Sequence, residues 1–118
     1  MNISMIDAVN AVTLSDFALD RIEKEQETLT EMLEALKKGQ QENVNYCVLN
    51  QISTDTDIQI YTLVKELDKL ICKVDFTDMV SVLQEKREEL LRLQEKNLLL
   101  RKAFSPYTYC PKLSQPEA

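Results

Sequence analysis

"LQEKREELLRLQEKNLLLRKAFSP", residues 83–106, decides the fold class. Its leucines recur at helical spacing and its charges fill the positions between them, which is the pattern of an amphipathic helix. Extended upstream, Met79, Leu83, Leu90, Leu93, Leu100 and Phe104 follow alternating three- and four-residue steps, with Lys86 and Asn97 in the two missing places. That is a heptad-like seam, and it requires a neighbour. Leu91 and Leu98 lie beside the seam and widen it beyond a bare two-stranded contact, which suits a bundle or a partner groove. An asparagine within such a seam sets register or partner choice at a cost in stability. The alternative is a small rotation of the helix that leaves Asn97 at the edge of the apolar face.

Upstream, "VDFTDMV" separates this helix from an earlier one. Asp75 or Thr77 can cap a new helix, and with Thr77 as the cap the staple positions hold Phe76 and Ser81, an incomplete pair. One unbroken helix over 56–104 is the competing reading. The earlier helix is expected over about 56–74, with Ile60, Val64, Leu67, Leu70, Ile71 and Val74 as its stripe. "NQISTDTD", residues 50–57, reads as the clearest break in the chain, because Ser53, Thr54 and Asp55 compete with the backbone for hydrogen bonds.

A first helix is expected from Ser15, as N-cap, with Asp16 in the favourable first turn, to about Lys38. Ala18, Ile22, Leu29, Met32, Leu33 and Leu36 form its stripe, which Glu25 and Gln26 interrupt. Glu23, Lys24, Glu27, Glu31, Glu34 and Lys38 fill the opposite face. "KKG" closes the element, with Gly39, the single glycine of the chain, just past the end. A helix continuing to about Leu49, with Val44, Cys47 and Val48 inward, is the alternative. Before Ser15, residues 1–14 read either as a short helix with Ile3, Ile6 and Val9 on one face or as a flexible start. After Phe104, Pro106, Pro111 and Pro116 predict an extended or disordered tail over 105–118.

The whole is expected to be one all-α domain, an elongated helical hairpin or small antiparallel bundle with coiled-coil-like packing. One glycine and three prolines in 118 residues leave little for the turns of a sandwich or the phosphate loop of a Rossmann-type domain. The net charge of −6, from 14 basic and 20 acidic residues, argues against nucleic acid as a ligand. Three scattered cysteines, Cys47, Cys72 and Cys110, suggest no disulfide framework and fit a reducing compartment. The N-terminus lacks the features of a signal peptide, and no stretch approaches the roughly 20 apolar residues of a membrane span. A cytoplasmic protein without membrane insertion is therefore expected.

Little in the chain points to chemistry. There is no histidine, which removes the commonest general base and both the Ser-His-Asp and Cys-His arrangements. There is no phosphate-binding glycine loop. Glu85, Glu88, Glu89 and Glu95 lie on an exposed helix face, and the Glu85–Glu89 spacing would serve a metal only if another helix added ligands. "DTD" at 55–57 begins like a calcium loop but lacks the required glycine and closing glutamate. No catalytic residue, metal or cofactor is assigned.

Residues 63–93, "LVKELDKLICKVDFTDMVSVLQEKREELLRL", resemble the helix-turn-helix stretch of bacterial flagellar and type III export chaperones. The likeness lies in Leu67, Leu70, Ile71, Asp75, Val80, Leu83, Lys86, Arg87, Leu90 and Leu91, and "LLRLQEKNLLL" is similar to the asparagine-containing helices of those proteins. Where that family continues into a further long helix, this chain turns to proline at Pro106. The resemblance implies a small helical chaperone or adaptor that keeps an amphipathic segment of an export substrate soluble. The partner would meet Leu90, Leu93, Leu98, Leu100 and Phe104 as apolar area, Asn97 as the register-setting group, and Lys86 and Arg87 at the rim. A permanent subunit of a coiled-coil or bundle complex, or a homodimer, is the other arrangement such a seam supports.

Overall fold

The computed structural model describes residues 5–74 and 77–108. Three long helices, α1 (Met5–Lys37), α2 (Tyr46–Lys73) and α3 (Thr77–Thr108), pack against one another, with a 3-10 turn at Gln41–Asn43 between the first two. Among the described residues there is no strand. The fold is all-α, as the periodicity predicts.

Cross-helix contacts give the directions. Asp16 on α1 meets Lys86 on α3, and Gln26 meets Leu93, so these two helices run parallel. Asp68 meets Arg87 and Asp57 meets Arg101, so α2 runs antiparallel to α3. The radius of gyration is 18.1 Å and the principal extents are 58 × 30 × 17 Å. A globular chain of this length would have a radius near 13–14 Å. The bundle is therefore elongated, as helices of 28 to 33 residues require.

The α1–α2 connection is built from local chemistry. Gly39 adopts φ +78°, the left-handed conformation that glycine enters without a Cβ penalty. Its N–H donates to Leu36 O at 3.1 Å and the Gln40 N–H to Ala35 O at 2.9 Å, a Schellman closure. Asn45 then caps α2, its side chain accepting from the Cys47 and Val48 amides at 2.9 and 3.2 Å.

Several sequence expectations are corrected. The helix over 16–38 begins at Met5, and Ser15 is a buried residue inside it rather than a cap. Ala8 belongs to the same buried cluster as Val74, with Ala11 and Val12 packed against it, and this burial extends the helix upstream. The extension to Leu49 does not occur, because the chain turns at Gly39. The break at 50–57 lies inside α2. Its hydroxyls bond across the bundle instead of to their own backbone: Thr56 Oγ1 donates to Glu25 Oε1, and Ser53 Oγ accepts from Arg101 Nε, each at 3.2 Å. The chain between Lys73 and Thr77 does separate two helices; the cap and staple expected at Asp75 and Phe76 lie outside the described residues. Finally, α3 passes through Pro106 to Thr108. A proline so near the end removes a single backbone hydrogen bond, and on either side of it Phe104 belongs to the buried cluster that holds Leu36 and Val44 while Tyr107 packs against that cluster. The remainder of the expected tail, 109–118, lies outside the described residues.

The interior has two apolar clusters that share no residue. One holds Ala8, Ala18, Leu19, Ile22, Ile60, Leu67, Val74, Leu83 and Leu90. The other holds Leu29, Leu33, Leu36, Val44, Leu49, Leu100 and Phe104. Ile22, Ile60, Leu83 and Leu90 have no exposed surface, and each such side chain contributes about 1.5–3 kcal/mol by leaving water.

Candidate functional site

The heptad seam of α3 faces into the chain's own bundle. Leu83, Leu90, Asn97, Leu100 and Phe104 are buried, and Met79, Lys86 and Leu93 are half-buried. The neighbour the seam requires is supplied by α1 and α2. Of the residues expected to meet a partner, Leu90, Leu100 and Phe104 are core, and Leu93 packs against it. Lys86 reaches Asp16 on α1 at 2.7 Å, and Arg87 pairs with Asp68 on α2. The hydrogen bond to Asp16 holds the Lys86 ammonium above the usual lysine range against the opposing effect of burial, with added help from the charges of Asp16, Glu89 and Glu85. Leu98, at 49 % exposure, is the one expected apolar contact that faces outward.

Asn97 bonds within the chain's own bundle. Its Nδ2 donates to Asp57 Oδ1 at 2.7 Å and to Ser53 O at 3.2 Å. Arg101, one turn on, pairs with the same aspartate and bonds Ser53 Oγ. From α1, Gln26 Nε2 donates to Leu93 O at 2.8 Å. These groups form a polar layer, contributed by all three helices, that separates the two apolar clusters. Gln26 and Asn97 are fully buried, and no described group donates to Gln26 Oε1 or Asn97 Oδ1.

The outward surface that stands out is elsewhere. From Met5 to Leu19 the only charged residues are Asp7 and Asp16, whereas residues 20–38 hold ten. The outer side of this segment exposes Ile6 and Phe17 at 71 % and Leu14 at 63 %, with Met5 and Val9 near half. A helix apolar on both faces is usually covered on both. Leu14, Phe17, Ala18 and Arg21 line a groove of about 440 Å³ against Gln59, Thr62 and Leu63 of α2. Arg21, its one charged wall, pairs with Glu25 at 3.6 Å. On the other side of α2, Asp57, Tyr61, Leu91, Gln94, Glu95, Leu98 and Arg101 line a second groove of about 680 Å³. Ile58 lies between Asp57 and Gln59, which line different grooves, and is itself 59 % exposed. Sequence reasoning did not single out Leu14 and Phe17; the sparseness of charge before Asp20, where Asp7 and Asp16 are alone over 5–19, is the signal that marks them.

Among the described residues no three Cys, Asp or Glu side chains gather to hold a metal ion, and no helix is long and apolar enough to cross a membrane. In comparison with known proteins, no family model, curated protein or solved structure matches this chain.

Proposed function

We propose that this chain is a non-enzymatic helical adaptor or chaperone that receives the apolar face of an amphipathic helix from a partner protein. One observation carries the reading: α1 exposes the apolar side chains of Ile6, Leu14 and Phe17 although its inner face already supplies Ala8, Ala18 and Ile22 to the core. The groove beside Phe17 offers apolar walls, two neutral polar groups in Gln59 and Thr62, and a cation already paired within its own helix. That chemistry fits helix-in-groove binding. A cytoplasmic role on a flagellar or type III export substrate follows from the sequence resemblance.

A permanent homodimer or bundle subunit is the second reading, favoured by the 71 % exposure of both Ile6 and Phe17. Light scattering of the purified chain combined with titration of a fluorescent leucine-lysine amphipathic peptide separates the two. A monomer that binds the peptide, with binding lost in Phe17→Glu and kept in Leu99→Glu, supports the adaptor. A dimer that Phe17→Glu converts to monomer supports the permanent assembly. A monomer that binds nothing overturns both.

A further inference from the structure

We propose that the polar layer is a conformational seam at which the distal end of the bundle opens as a unit without unfolding the rest. The buried apolar residues fall into two clusters, with this layer between them. What joins them, besides the continuous helices, is the layer itself: Gln26 from α1, Ser53 and Asp57 from α2, Asn97 and Arg101 from α3. This layer is under-satisfied. Gln26 Oε1 and Asn97 Oδ1 are buried acceptors to which no described group donates, and the opened state returns both to water. The salt link between Arg101 and Asp57 is partly exposed, at 47 % and 32 % of the two side chains, so water can replace it as the helices part.

The distal half is the one expected to open. It contains the α1–α2 turn at Gly39, and its α3 strip ends in a proline-containing turn. Opening would free α3 beyond Asn97 together with the facing parts of α1, Leu29–Leu36, and of α2, Tyr46–Ile52. The proximal half would stay closed around Ile22, Ile60, Leu83 and Leu90. Cooperative opening of contiguous units below the global unfolding barrier is a general property of proteins, and a polar layer between two apolar clusters supplies a boundary for one.

Native-state hydrogen exchange of the full chain across a denaturant series tests this, because ordinary end-fraying gives a gradient while a seam gives a step. The expected result is a shared opening equilibrium for amides at 29–36, 48–52 and 99–105. It should lie at least about tenfold above that of 19–23, 60–67 and 83–91, with the step at Gln26, Asp57 and Asn97. Gln26→Met, which makes the layer more apolar, should shrink the step to about threefold or less. A single opening equilibrium for both halves, a smooth gradient toward the helix ends, or a step unchanged in Gln26→Met would each overturn the proposal.

Discussion

Replacing Gln26 by methionine should stabilise the bundle. The two side chains are close in length and volume, so the change tests polarity with little change of shape. Gln26 is fully buried, and its Nε2 donates to Leu93 O at 2.8 Å. Losing a neutral hydrogen bond of this kind costs about 0.5–1.5 kcal/mol. Leu93 lies mid-helix, where its carbonyl also faces the amide of Asn97 one turn on, so it is not orphaned. Against this loss, the variant removes a buried carbonyl oxygen to which no described group donates, relieving about 1–3 kcal/mol. The expected net gain is about 1 kcal/mol, or about 3–6 °C in Tm for a chain of this size. Urea unfolding followed by circular dichroism at 222 nm measures it. A loss of 1 kcal/mol or more would refute the reasoning, since it would require that Oε1 receives a hydrogen bond, as from a buried water.

Leu90→Ala, at a fully buried site, should cost about 2–5 kcal/mol in the same denaturation assay. Phe17→Glu should leave the melting temperature within about 2 °C, because the side chain is 71 % exposed, and should weaken binding of an amphipathic peptide about 10- to 100-fold, the equivalent of losing one aromatic burial. Gly39→Ala meets no atom within 4 Å but forces an L-residue to φ +78°, so thermal melts should show a loss of about 1–2 kcal/mol from backbone strain alone. Lys86 has a raised pKa in the folded state, so its contribution is fully present below the ordinary lysine value near about 10.4 and is lost as pH rises through the higher folded value. Alkaline denaturation should therefore show the stability difference between the wild type and Lys86→Met constant from neutral pH to about 10 and shrinking above it.

The sequence by itself determined the helical class and the apolar stripe of each helix, and it offered a break at both connections, each beside a continuous-helix alternative. Period is a local property: the steps from Met79 to Phe104 place those residues on one side of α3 whatever it packs against, and the lone glycine at 39 marks a turn because its left-handed conformation is local too. The interruption of the first stripe at Glu25 and Gln26 was also legible, although its meaning was not. Only the tertiary structure decided where helices begin and end when long-range burial competes with local preference. Ser53, Thr54 and Asp55 read as breakers because such side chains favour the nearby backbone, but Ser53 and the neighbouring Thr56 bond to partners on α3 and α1, and α2 runs on. The same holds for Pro106, where packing of Phe104 and Tyr107 outweighs one lost backbone bond. Whether the α3 seam is core or interface also depended on three-dimensional contacts, since an amphipathic face specifies that it will be buried and not by which chain. Asn97 illustrates the division: its place in the seam was visible from spacing, whereas its bonds to Ser53 and Asp57, 44 and 40 positions of sequence away, exist only because α2 and α3 run antiparallel in this register.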